Sequence, residues 1–303
     1  MKTYLDCIPC FFKQALDAAR VAGANKSTQK RILNKLAKTI QKLPLSSTPP
    51  EMGRTIYKLV KELTKKDDPY SEIKTKNNRL ALAFYPNLKR RVSNSKDSLL
   101  AALELAIAGN IIDYGAKNSL NVDKRLKEIL NEEENAIKKE DKAIFDYIQF
   151  KDSLKKSNSI LYLADNAGET VFDRILIEEI NSIYSDKEVI YAVKEKPIIN
   201  DALIQDAYIC GIDKVAKVIS CGSDGPGTIL SICSKKFLKI YKRADIIISK
   251  GQGNYEALSG ERRPIFFLFM AKCPVIAKDV ACDVGDIILM KNSSRKRRTY
   301  YRG

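Results

Sequence analysis

Five short apolar runs, starting near residues 160, 189, 215, 245 and 265, constrain this chain more than any other feature. They are Ser159–Ala164 (SILYLA), Val189–Val193 (VIYAV), Val215–Ile219 (VAKVI), Asp245–Ser249 (DIIIS) and Ile265–Met270 (IFFLFM). Between them lie stretches with helical spacing: Val171–Ile183, Ile198–Ile209 and Thr228–Arg243. Strands alternating with helices at this interval build a parallel sheet joined by crossover helices. Strands that are apolar throughout, and not only at every second position, need cover on both faces. The expectation is therefore an α/β fold with a Rossmann-like, doubly wound, mainly parallel sheet. In such sheets functional groups gather beyond the carboxyl ends of the strands.

The first 155 residues hold no strand signal of comparable strength and read as helical. Cys10–Val21 carries apolar residues at helical spacing, and Ser27 is placed to cap a helix running to about Leu43. Thr48-Pro49-Pro50-Glu51 is a second start signal, with a capping threonine, proline in the first turn and glutamate three residues on. Ser95 is placed to cap the apolar stretch Leu99–Ala108, and residues 122–155 read as two charged amphipathic helices. This gives a helical region over 1–155 packed on an α/β domain over 156–290. A basic tail, 291–303, is expected to be disordered.

Composition narrows the chemistry. The 303 residues include no histidine. That removes histidine triads, imidazole bases and zinc hydrolase sites built on histidine ligands. No apolar run approaches the roughly 18 residues of a membrane helix. The first residues carry an acid and a Cys-x-x-Cys where a signal peptide needs an apolar core, so a cytoplasmic location is expected. The formal net charge is +16, but it is unevenly placed. Residues 1–150 hold 28 basic against 18 acidic groups, residues 151–290 hold 19 of each, and residues 291–303 hold six basic groups and no acid. The tail sets Tyr300 and Tyr301 beside Arg295, Lys296, Arg297 and Arg298, a pattern that can bind RNA or phosphates. A solvated terminus is the plainer explanation, and nucleic acid is not expected as the partner.

The loops after the strands carry the chemistry. The first run leads into Asp165-Asn166-Ala167-Gly168-Glu169-Thr170. Two neighbouring oxygen donors before a glycine and a helix start suit a hard cation or a phosphate, although Asp and Asn also cap helices with no ligand. The second run leads into Lys194-Glu195-Lys196-Pro197-Ile198-Ile199-Asn200-Asp201, whose Asp201 can turn toward the same crevice or cap the next helix. The third leads into Cys221-Gly222-Ser223-Asp224-Gly225-Pro226-Gly227-Thr228, a glycine-rich candidate anion nest. The fourth ends at Lys250, backed by Gly251-Gln252-Gly253-Asn254 and placed to neutralise a phosphate. Together the loops offer carboxylate, amide and carboxylate for a metal, with a nest and a lysine for a phosphate. The chemistry this implies is metal-assisted phosphoryl transfer to water.

These residues resemble the damage-control metal phosphatases, formerly domain of unknown function eighty-nine, in their archaeal and bacterial branch. The resemblance runs over nearly the whole chain. It is carried by Cys7-x-x-Cys10, Gly109-Asn110-Ile111-Ile112-Asp113-Tyr114-Gly115, Asp165-Asn166-Ala167-Gly168-Glu169, Asn200-Asp201 and Lys250-Gly251-Gln252-Gly253-Asn254-Tyr255-Glu256. It implies that Asp165, Asn166 and Asp201 hold a divalent metal (Mn, Co, Ni or Mg) and that Lys250 meets the substrate phosphate. It also implies hydrolysis of sugar phosphates or damaged phosphometabolites, by a helical region packed on a Rossmann-like domain. Around that set, Gly222 and Ser223 stand as phosphate-loop residues. Glu169 orients water or a substrate hydroxyl, or simply sits in a first helical turn. Asn110 and Asp113 close over the substrate or cap a helix. Asp165 is either a ligand only or also the nucleophile, with the adjacent Asn166 favouring the ligand role. Cys7 and Cys10 are two thiolates, short of the about four ligands of a structural zinc. They stand as a redox or second-metal pair, or as packing at a helix start. Two rivals remain. One is an S-adenosylmethionine-dependent carboxyl methyltransferase, which usually has a more glycine-rich turn after its first strand. The other is an RNA-binding protein using the basic tail.

Overall fold

The computed structural model describes residues 1–109 and 142–292. Its centre is a seven-stranded sheet in the order β1-β7-β6-β5-β2-β3-β4. The strands are β1 (Lys142–Phe145), β2 (Ser159–Leu163), β3 (Glu188–Val193), β4 (Lys217–Ser220), β5 (Ile246–Lys250), β6 (Ile265–Met270) and β7 (Ile287–Lys291). All neighbours pair parallel except β6 and β7. The five apolar runs of the sequence are β2 to β6. β1 corrects the expectation that no strand precedes residue 159, and β7 is a further strand. Lys-Ala-Ile-Phe is too short to stand out, and its edge position leaves it half-buried.

Both faces of the sheet are covered, as the strand composition requires. Ile160, Tyr162, Phe266 and Leu268 face one core, while Leu161, Leu163, Ile265 and Phe267 face the other. The first core is closed by α4 (Ser71–Asn94), α5 (Ser98–Ala108), α6 (Tyr147–Lys156) and α7 (Glu169–Ile183). The second is closed by α9 (Lys235–Arg243), α10 (Gln252–Leu258) and α11 (Pro274–Val280). A short helix, α8 (Ile204–Ile209), follows the β3 loop. The helices α1 (Cys7–Val21), α2 (Lys26–Ile40) and α3 (Pro49–Thr64) share a core of their own, including Phe11, Ile32, Leu36 and Ile56.

Helix starts follow local capping. Thr48 and Glu51 form the expected capping box of α3. Elsewhere the cap shifts by two residues. Asn25, not Ser27, accepts from Thr28 N–H at α2, and Asp97, not Ser95, accepts from Leu100 N–H at α5. The expected helix 228–243 divides into a loop, a single 3-10 turn at Leu230–Ile232, and α9 capped by Ser234. Of the span 122–155, where two helices are expected, residues 142–155 hold β1 and α6, and residues 122–141 lie outside the described residues. α5 is apolar almost throughout, and its buried Glu104 is neutralised by Lys142 of β1 at 2.5 Å. No helix among the described residues is long and apolar enough to cross a membrane.

Candidate functional site

The strand order reverses between β2 and β5, which places the ends of these two strands at the switch point of the sheet. β2 ends at Leu163, and Asp165 and Asn166 follow at once. Residues 200–202 lie against them. Ala167 N–H donates to the Asn200 carbonyl at 2.8 Å, Ala202 N–H donates to the Asp165 carbonyl at 2.8 Å, and Asn166 and Asp201 form an isolated antiparallel bridge. Asp201 is thereby held beside Asp165 and Asn166. The expected helix 198–209 is shortened to α8 because its first residues make this bridge. The turn into the bridge needs Ile199 at φ +48°, a left-handed conformation that a β-branched residue adopts only under constraint.

The side chains are ordered by two contacts. Asn166 Nδ2 donates to Asp165 Oδ2 at 3.2 Å and to Glu169 Oε1 at 2.9 Å. With the nitrogen so engaged, the amide oxygen is the group that Asn166 offers to a cation. The Asp165 carboxylate lies directly on Gly251, which sits at φ +82°, and a Cβ there would collide with it. Gly168, at φ +85°, opens α7 and donates its N–H to Asn78 Oδ1 of α4 at 2.7 Å.

Adjoining this set is an enclosed charge cluster. Lys250, Glu169 and Asp173 are fully buried. Lys250 Nζ donates to Glu169 Oε2 at 3.1 Å and to Asp173 Oδ1 at 2.8 Å. Tyr162 and Tyr191 donate their hydroxyls to Asp173 at 2.7 and 2.8 Å. Burial pulls the Lys250 ammonium toward neutrality, but the Asp173 and Glu169 carboxylates hold its pKa above the ordinary lysine value. Burial also raises the Glu169 carboxyl, against the opposing pull of Lys250 and Lys272. Lys250 is thus fully buried and engaged by two carboxylates.

The remaining loops close a ring. Asn254 Nδ2 donates to the Ala164 carbonyl at 3.0 Å and to the Lys250 carbonyl at 2.7 Å, and its Oδ1 accepts from Thr228 Oγ1 at 2.7 Å. Gly227, at φ +64°, packs on the Gly253 carbonyl, and Glu195 N–H donates to the Ser223 carbonyl at 3.0 Å. Within the glycine-rich loop, Gly222 N–H is engaged by Ser220 Oγ and Gly225 N–H by Ser223 Oγ. Those two amides brace the loop internally. Arg54 of α3 grips the same loop through Asp224, at 2.5 and 3.1 Å, and this hydrogen bonding lowers the Asp224 carboxyl.

Four residues that the sequence reading left without a role have one here: Lys194, Asn254, Arg54 and Lys272. Lys194 is the first residue past β3 and Lys250 the last of β5, so both stand at a strand end, and Asn254 lies in the first turn of α10. Lys272 lies two residues past β6 and is half-buried, a position the strand-end rule would have flagged. Asn110, Asp113 and tail residues 293–303 lie outside the described residues, while Lys291, expected to open the disordered tail, is the last residue of β7. Cys7 opens α1 half-buried with its thiol pKa raised by burial, and Cys10 is exposed and accepts from Gln14 Nε2 at 3.3 Å. Among the described residues no three cysteine, aspartate or glutamate side chains form a metal cage. Cys221 is buried, and its hydrogen bond with the Cys233 thiol brings its pKa down to about 6.

The model of the damage-control phosphatase ARMT1-like domain matches residues 3–288. The chain belongs to this family. Among its relatives is an uncharacterised protein of Methanocaldococcus jannaschii, 40% identical over 94% of each chain. A damage-control phosphatase of Pyrococcus horikoshii is 35% identical over 96% of this chain and 99% of the relative. A damage-control phosphatase of Archaeoglobus fulgidus is 33% identical over 84% and 85%. The crystal structure of a DUF89 family protein from P. horikoshii superposes with a TM-score of 0.85, covering 96% of this chain and 99% of that one at 33% identity. The helical N-terminal region and mostly parallel sheet are thus the family architecture.

Proposed function

We propose that this chain is a divalent-metal-dependent phosphomonoesterase acting on small phosphorylated metabolites, sugar phosphates or damaged phosphometabolites among them. The observation that carries the reading is the 166–201 bridge, which brings two carboxylates and an amide oxygen to the switch point of the sheet. Relatives named damage-control phosphatases, matched over most of the chain, support it.

The donor set fits a cation of one kind. Asp165, Asn166 and Asp201 offer only hard oxygen atoms, which suits Mg or Mn and also admits Co or Ni. Two carboxylates and an amide leave coordination positions for water and phosphate oxygens, as an open catalytic site needs. When bound there, the cation supplies Lewis-acid polarisation of the phosphoryl group. The protein supplies order. Glu169, engaged by Asn166 and Lys250, keeps the amide turned outward. Lys250 sets the charge balance beside the ligands. The loop around Gly222 and Ser223, held by Arg54, bounds the side where the phosphate would lie. In this division of labour residues 156–290 carry the chemistry and the helical region shapes access. A cytoplasmic setting accords with phosphometabolite substrates.

The test is phosphate release from sugar phosphates, nucleotides and p-nitrophenyl phosphate, using metal-stripped protein resupplied with Mg, Mn, Co or Ni, beside Asp165→Ala. Metal-dependent release, reduced at least a hundredfold in the variant, is expected. Folded wild-type protein that releases no phosphate with any of these metals would falsify the reading.

A further inference from the structure

We infer that Lys194 supplies a cation that contacts the substrate phosphate, a role that rests on the metal-phosphatase reading above. Lys194 is the first residue past β3. Its backbone N–H donates to the Ala202 carbonyl at 3.0 Å, and Lys194 forms an isolated parallel bridge with Leu203. The backbone therefore fixes Lys194 and Asp201 as neighbours. Lys194 Nζ lies 3.7 Å from Asp201 Oδ2 and donates to the Gly227 carbonyl. It stands between a proposed metal ligand and the glycine-rich loop.

Three observations favour contact with phosphate. The first is place. Lys194 Nζ lies at ion-pair distance from the proposed ligand Asp201 and reaches the glycine-rich loop, while Lys250 is enclosed by Glu169 and Asp173. The second is donor capacity. An ammonium has three N–H groups, and Lys194 uses one on Gly227, since 3.7 Å is ion-pair distance and too long for a hydrogen bond. Lys250 has already directed two at Glu169 and Asp173. The third is charge. An ammonium beside a carboxylate that is to hold a divalent cation repels that cation. The arrangement becomes favourable once a phosphate dianion lies between the two positive charges. Gly227 gives the ammonium a fixed anchor, because its φ of +64° and its packing on Gly253 leave its carbonyl little freedom.

The experiment separates phosphate binding from metal binding. Mn is titrated into metal-free wild type, Lys194→Gln, Lys194→Met and Lys194→Arg by calorimetry. Inorganic phosphate is then titrated into each Mn-loaded protein, and kcat and KM are measured with p-nitrophenyl phosphate. Lys194→Gln retains a donor for the Gly227 carbonyl and so keeps the test open should Lys194→Met fail to fold. Loss of the charge is expected to weaken phosphate binding and raise KM at least tenfold, with Mn binding unchanged or tighter, while Lys194→Arg keeps most of the phosphate affinity. Wild-type phosphate affinity in the Gln and Met variants would overturn the assignment. So would parallel loss of Mn and phosphate binding, which marks a merely structural lysine. Wild type that binds Mn but no phosphate overturns it as well. Wild type that binds neither defeats the phosphatase reading itself, so the two failures are told apart.

Discussion

Gly251 shows how closely a single residue controls the proposed ligand set. It stands at φ +82°, and its missing side chain is the space in which the Asp165 carboxylate rests. A methyl group there meets two penalties, a left-handed backbone and a collision with a charged group. Gly251→Ala is therefore expected to lose well over about 1 kcal/mol of stability. It should also weaken Mn binding at least tenfold, because Asp165 must turn away from Asn166 and Asp201. Calorimetric Mn titration beside urea denaturation checks both, and a variant with wild-type Mn affinity would show that Asp165 does not need this seat. The proposed ligands stand out in the sequence because short polar residues at a strand end contrast with apolar runs. The buried partners of Lys250 do not. A lysine flush with a strand reads the same whether it faces a crevice or, as here, two buried carboxylates supplied by Glu169 and Asp173, 81 and 77 residues earlier in the chain.

At the scale of elements, α4 and α7 are joined by one acidic residue with three donors. Glu178 of α7 accepts from Tyr85 at 2.8 and 3.1 Å and from Arg174 at 2.7 Å, and pairs with Lys89 at 2.8 Å. Burial alone would raise its carboxyl, but the hydrogen bonds from Lys89, Tyr85 and Arg174 outweigh burial and hold it below the ordinary glutamate value. A folded-state pKa below the unfolded one means that protonation favours the unfolded chain. The stability this clamp contributes is present above the unfolded glutamate pKa of about 4.3 and is lost as pH falls through the folded value. Urea midpoints measured from pH 7 down to 3 should fall less steeply for Glu178→Gln than for wild type, and curves of equal slope would show that the clamp carries no pH-linked stability. α4 also marks the limit of sequence reading. Pro86 lies inside it and its apolar spacing is weak, so no helix stood out, although Asn78 of this helix holds the turn at Gly168. β2, β5 and β6 were legible because burial on both faces writes itself as unbroken apolarity. The antiparallel β7 carries the same mark in Ile287-Ile288-Leu289-Met290, whereas the short, half-buried edge strand β1 does not.

For the molecule as a whole, the site joins parts that are distant in sequence. Asp165 and Asn166 follow β2, Asp201 follows β3, and helix α4 braces Gly168 from the core that α4 and α5 share with the sheet. The unfolded chain has no such arrangement, since the proposed ligands are then separated by flexible segments. A cation held by all three therefore binds the folded state alone, and its affinity becomes stability. At a metal concentration one hundred times the dissociation constant the gain is about 2.7 kcal/mol. For a chain of this length that corresponds to roughly 5 °C in Tm, taking about 2 °C per kcal/mol. Mn added to metal-stripped wild type is expected to produce this shift, and Asp201→Ala should abolish it, because Asp201 reaches the site only through the folded bridge with Asn166. The comparison discriminates because the other acidic side chains remain in the variant. A cation held loosely by surface carboxylates would shift both proteins alike, and equal shifts would remove Asp201 from the ligand set.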